Sequence, residues 1–320
     1  MRNYLALIIV LLTACQSTPK MTDEEQNHHL KIAQNYLAQK RYDEAFLSFQ
    51  ALAEQQLPLA EFTLALFYQN GWGRKTNERE ACVWFEKSAQ HQIIAAEHLF
   101  AQCLEKNILG SAQPEKATIW YEKAARHGHQ ISWCSIAKIY VEGLISTDNM
   151  NQKLENCLAF ADSDNILAQV QMGHFFLNKN TATHDPQKAK YWFSRAAQQN
   201  SLEAMYYLGI VEQSFMKNVA QARFWFESAA SQGYLPAYFV TATLYFKEPS
   251  IVGTDVREPE NLAKAYLWLT ATSKRSKNDK ALQETAEMLE KIKAVMPETW
   301  YKDLDQKVER HLQEHVNKTN

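Results

Sequence analysis

The sequence predicts an all-α protein, an α-solenoid of about seven helical hairpins closed by a C-terminal helical cap, on three observations. An alanine, an aromatic pair three and four residues later and a second alanine at plus eight recur along the chain, as in Ala81, Trp84, Phe85, Ala89 and Ala117, Trp120, Tyr121, Ala125. The recurrence is regular: taking the first alanine as position 0, the anchors are Ala45, Ala81, Ala117, Lys153, Ala189, Ala222 and Ala265, separated by 36, 36, 36, 36, 33 and 43 residues. A second apolar stripe follows each anchor at +15, +18, +19, +22 and +23, read in the second copy as Ala96, Leu99, Phe100, Cys103 and Leu104. Self-similarity at this period marks stacked repeats, and a stack directs the functional question to a binding surface before a catalytic pocket.

Each copy is read as helix, turn, helix. Positions 0, +3, +4, +7 and +8 project within about 140° of one another at helical pitch, so alanines and aromatics share one apolar face. Small residues at 0, +8 and +15, such as Ala53, Ala60, Ala89, Ala96, Ala197 and Ala204, let helices approach closely while the rings fill the space between layers. Trp84, Trp120, Trp192, Trp225 and Trp268 at +3 are therefore expected to be buried packing residues. Beyond the last copy, Asn278 to Val295 and Glu298 to His315 read as two charged helices parted by Pro297. They would cap the apolar end that a repeat array otherwise exposes.

The phrase Ala-x-x-Trp-aromatic-x-x-Ala-Ala with a glycine soon after, in Ala222 to Gly233 and Ala117 to Gly128, resembles the Sel-one-like repeat, a relative of the tetratricopeptide repeat. Tyr68, Gly71 and Gly73 match that family's Tyr-x-x-Gly-x-Gly loop. The resemblance weakens in the fourth copy, where Lys153, Asn156 and Cys157 replace the alanine and the aromatics. It implies a right-handed superhelix of hairpins and a scaffold that binds other proteins. A cysteine-rich branch of the family, associated with penicillin binding, pairs cysteines at +9 and +17 in every repeat. Only Cys134 matches here, opposite Arg126, so a β-lactam site is not expected.

The N-terminus suggests a location. Leu5 to Leu12 form an apolar run too short to span a bilayer, and Leu12-Thr13-Ala14-Cys15 resembles a bacterial lipobox. The resemblance implies cleavage before Cys15 and its acylation, and Gln16 in place of aspartate favours the outer membrane, facing the periplasm or the cell surface. The competing reading is an ordinary secretory signal with a chance cysteine. The expected organisation is a signal peptide over 1–14, a flexible tether over 15–28, repeats over 29–275 and a cap over 276–320.

In an oxidising compartment Cys82 at +1 and Cys103 at +22 lie on the two helices of one hairpin, equidistant from its turn, and form a candidate disulfide against the alternative of two buried thiols. Cys134 and Cys157 straddle a loop similarly, but +17 points less clearly at its neighbour and that pairing stays open.

Composition excludes little else. The 34 basic and 36 acidic residues offer no basic excess for nucleic acid. His311-Leu312-Gln313-Glu314-His315 formally matches an inverted zinc-protease pattern, but Val316 to Asn320 supply no acidic ligand; His127 and His129 flank Gly128 without further clustered ligands. No metal, cofactor or catalysis is expected. At +2, however, the chain places Leu47, Val83, Ile119, Tyr191, Phe224 and Leu267, about 200° around the helix from the anchor and among polar neighbours. Val83, Ile119, Tyr191, Phe224 and Leu267 are the candidate protein-binding groove, gripping an extended peptide or partner helix; the alternative is packing against adjacent repeats. Two functions stay open: an outer-membrane-anchored scaffold for another envelope protein, and a binder of peptidoglycan-derived or other small ligands with weak hydrolase activity.

Overall fold

The computed structural model describes residues 21–145, 150–179, 183–247 and 258–316. The proposed signal peptide and Cys15 lie outside the described residues. Every described element is helical, and the chain divides into two compact units at Ala124.

The first unit runs α1 (Asp23–Ala38), α2 (Tyr42–Glu54), α3 (Pro58–Asn70), α4 (Glu78–Gln90), α5 (Ile94–Glu105) and α6 (Pro114–Arg126), which reaches across the division. Consecutive helices pack on one another from α1 to α5. Helix α1 corrects the expected tether of 15–28 over residues 23–28, while 15–20 lie outside the described residues. Thr22 accepts from the Glu25 amide while the Glu25 side chain accepts from the Thr22 amide, a reciprocal cap that starts the helix at Asp23. Leu30, Ala33, Tyr36 and Leu37 then bury α1 against α2. Polar composition had suggested a linker; three acids in the first turn suit a helix N-terminus equally well.

The second unit comprises α7 (Ile131–Val141), α8 (Met150–Asp162), α9 (Ile166–Leu177), α10 (Pro186–Gln198), α11 (Leu202–Ser214), α12 (Val219–Ser231), α13 (Leu235–Phe246), α14 (Pro259–Arg275), α15 (Asp279–Lys293), a short 3-10 turn at Glu298–Trp300 and α16 (Tyr301–Val316). Both α15 and α16 pack on α14, the arrangement expected of a cap, and Met296, Leu304, Val308 and Leu312 are buried there.

One backbone device recurs at +11 in six of the seven copies, where the first helix of the hairpin hands over to the second. Gln56, Gln92, Gly128, Asp164, Asn200 and Gly233 all take positive φ, between 61° and 108°. A left-handed residue just past a helix end closes the last turn, which suits glycine, asparagine and aspartate and strains glutamine.

The core is built by the anchors and by +4. Ala45, Ala81, Ala117, Ala189, Ala222 and Ala265 are buried, as are Phe49, Phe85, Tyr121, Phe193, Phe226 and Leu269. Each ring needs a small residue opposite it. A Cβ on Gly173 of α9 would lie 2.5 Å from the Phe193 ring, and one on Gly209 of α11 would lie 2.6 Å from Phe226. Both glycines stand at +20 of the preceding copy, where four other repeats carry Ala65, Ala101, Ala137 and Ala242, all buried.

Candidate functional site

The structure separates the two aromatic positions that the sequence treats alike. The +4 rings are fully buried, whereas at +3 only Trp192 and Trp268 are buried and Trp84, Trp120 and Trp225 are half-buried. This corrects the expectation of buried tryptophans. One helical step of about 100° carries +3 toward the rim of the apolar face, where cations cover it. Lys87 Nζ sits 3.7 Å from the Trp84 ring centre, Lys123 Nζ 4.4 Å from Trp120 and the Arg195 guanidinium 5.4 Å from Trp192. Each pair is a +3 ring under a +6 cation, within the reach of a cation–π contact.

The +2 side chains lie further out. Leu47, Ile119, Tyr191 and Phe224 are each 54–65% exposed, while Val83 and Leu267 are half-buried. In the first unit they stand on α2, α4 and α6; in the second, on α10, α12 and α14. Tyr191 and Phe224 are not wedged into the core. Each lies edge-on to its own +3 neighbour, at 5.0 Å between ring centres for both Tyr191–Trp192 and Phe224–Trp225. Arg195 borders Tyr191 and is itself fixed to Asp162 and Asp164 at 2.8 and 2.6 Å, which ties α10 to the turn after α8. The rigid setting lowers the entropy that an exposed ring would lose on contact with a partner.

Polar contacts that the sequence had not revealed lock adjacent hairpins together. The buried Glu61 carboxylate accepts from His91 Nδ1 at 2.9 Å, Gln199 donates to the buried Gln169 at 2.9 Å, and Gln232 points its amide at the Met205 sulfur at 3.5 Å. In every case +16 of one copy meets +10 of the next. The signal in sequence was a polar residue at +16, Glu61 and Gln169, on a face otherwise apolar; its partner thirty residues on follows only from the stacking.

Both cysteine pairs are bonded. Cys82 on α4 meets Cys103 on α5 with α-carbons 5.8 Å apart, and Cys134 on α7 meets Cys157 on α8 at 4.9 Å. These separations suit a disulfide without backbone movement. His311 of the cap is engaged by the last repeats: its Nε2 lies 2.9 Å from Tyr238 Oη on α13, and its ring packs edge-on to Trp268 on α14. Burial, with His315 adjacent, pushes the His311 pKa down. Its neighbour His315 packs so closely over Gly233 that a Cβ there would meet the ring at 2.5 Å.

The Sel1 repeat family matches residues 58–92, 101–129, 166–201 and 202–234. The chain carries Sel1 repeats. Three of the matched segments pair a second helix with the first helix of the following hairpin: α3 with α4, α9 with α10 and α11 with α12. Each of these Sel1 units encloses one of the polar contacts just described, and two enclose a glycine against a ring. The unit is therefore defined by its packing rather than by the aromatic phrase alone. A protective antigen present in uropathogenic Escherichia coli strains, whose crystal structure displays an SLR fold, superposes with TM-score 0.62 at 21% identity, over 92% of this chain and 63% of that one. This chain thus spans less than two thirds of that protein. A Sel1 repeat protein from Oxalobacter formigenes gives TM-score 0.58 at 22% identity, over 78% of this chain and 98% of that chain. At these identities the likeness establishes the fold. No curated protein matches the chain.

Proposed function

We propose that the protein is a non-catalytic scaffold, tethered to the outer membrane of a bacterium by lipid on Cys15, that binds another envelope protein through the +2 faces of its first helices. The observation that carries this reading is the separation of exposures at neighbouring positions. A solvent-facing Tyr191 and Phe224 stand two residues from fully buried Phe193 and Phe226, so folding buries the inner pair and leaves more than half of each outer side chain in solvent. Exposed aromatics on a rigid helical frame are the chemistry of an interface anchor. Sel1 repeats are typically non-catalytic scaffolds suited to protein–protein interaction, which agrees with it.

Replacing Tyr191 and Phe224 together by serine tests the binding face. The double variant should capture a bound envelope protein at least about tenfold less well while its melting temperature stays near that of the parent, because exposed apolar groups add little to folding. Unfolding of the variant would assign the side chains to the core and end the proposal. The anchor is tested by Cys15→Ser, which should abolish lipid labelling; normal labelling would refute it.

A further inference from the structure

The fourth repeat departs from the others where the core is made. Six copies set an aromatic ring or leucine at +4, whereas the fourth has Cys157, bonded to Cys134 of α7. A disulfide joins two helices without filling the volume of a ring. A cavity of about 360 Å³ opens beside it, within the range of small-ligand sites, which begins near 300 Å³. Its floor is the disulfide with Ala137, Val141, Met172 and Phe175, all buried and apolar.

The rim is charged in both senses. Lys138 and Glu142 at the end of α7 stand 3.9 Å apart, and His174 of α9 donates to Glu203 of α11 at 3.0 Å. That hydrogen bond holds the Glu203 carboxyl below the usual carboxylate range, against the opposing effect of burial. Both pairs remain partly open to solvent. A purely cationic ligand would be repelled by Lys138, and a purely anionic one by Glu142 and Glu203. A ligand carrying both signs can exchange each internal pair for a pair with itself, while an aliphatic side chain enters the floor.

We propose that this cavity binds a small aliphatic zwitterion of dipeptide size, its ammonium directed to Glu142 or Glu203 and its carboxylate to Lys138 or His174. The site is independent of the +2 face, so either assignment can fail alone. Titration of the full disulfide-bonded chain in detergent with L-alanyl-L-leucine, its N-acetyl derivative and its C-terminal amide, read by calorimetry and by thermal shift, tests it. The free dipeptide should bind saturably at millimolar concentration and raise the melting temperature, and each blocked form should bind at least about tenfold more weakly, as loss of a charged hydrogen bond requires. Glu203→Gln, at a half-exposed position, should weaken the free dipeptide about tenfold with helicity retained. Cys134→Ala with Cys157→Phe, which restores the ring, should abolish binding with helicity retained. Absence of saturable binding, equal binding of all three compounds, or undiminished binding by both variants would overturn the proposal.

Discussion

Replacing Gly173 by alanine tests how the repeats are held together, because two effects of known size oppose each other there. In a helix interior alanine is favoured over glycine by about 1 kcal/mol. Here, however, the added Cβ would meet Cε1, Cδ1 and Cζ of Phe193 at 2.5, 2.6 and 2.7 Å. The ring cannot retreat easily, being fully buried, stacked on Tyr207 at 5.4 Å and edge-on to His174 at 5.3 Å. Overpacking of this kind costs roughly 1–3 kcal/mol, so Gly173→Ala should destabilise the second unit by up to about 2 kcal/mol. Phe193→Ala alone should cost roughly 3–5 kcal/mol through the cavity it leaves. In that background the clash is gone, and Gly173→Ala should stabilise by about 1 kcal/mol. The sign of one substitution thus reverses with the state of its neighbour, a coupling of roughly 1–3 kcal/mol. Urea midpoints by circular dichroism for the four proteins, with amide exchange of α9 and α10, measure it. Equal destabilisation by Gly173→Ala in both backgrounds, or stabilisation of the parent, would refute the packing argument.

The remaining predictions concern the turns and the staples. Gln92→Gly relieves a left-handed glutamine at φ 64° and should raise stability by about 0.5–1 kcal/mol in thermal unfolding, whereas Gln92→Val should lower it. Cys82→Ser with Cys103→Ser opens a loop with a sequence separation of 21 and should cost the first unit about 3 kcal/mol, read as a denaturant midpoint below that of the oxidised parent. Lys87→Met leaves the alkyl stem over Trp84 but removes the charge, and should cost about 0.5–1 kcal/mol with a shift in tryptophan fluorescence.

The period, the hairpins and the cap were legible because alanine at 0 and a ring at +4 are demands of close packing, and close packing recurs with the helix pitch. At +2 the sequence left exposure and packing on adjacent repeats both open, and the structure divides them, with Leu47, Ile119, Tyr191 and Phe224 exposed and Val83 and Leu267 half-buried. What escaped depends on the neighbouring repeat rather than on the helix itself. The small residue at +20 has meaning only once Phe193 or Phe226 arrives from the next hairpin, and Glu61 reads as a misplaced charge until His91 stands beside it. The half-burial of Trp84, Trp120 and Trp225 escaped because +3 and +4 differ by a single step around the helix, which decides rim against core. The turn at +11 was hidden by side-chain identity, since Gln56 and Gln92 adopt a conformation that glycine would announce. Degeneracy of the fourth copy was visible in sequence, but not that a disulfide replaces the missing ring and leaves a cavity.

The central claim is that the +2 column faces a partner. A photoreactive benzophenone side chain placed singly at Tyr191, Phe224, Phe193 and Phe226 in cells, followed by irradiation, tests it most directly. Adducts of one defined mass at Tyr191 and Phe224, with none at the buried Phe193 and Phe226, are the predicted result. Absence of adducts at both exposed positions in folded protein would contradict it.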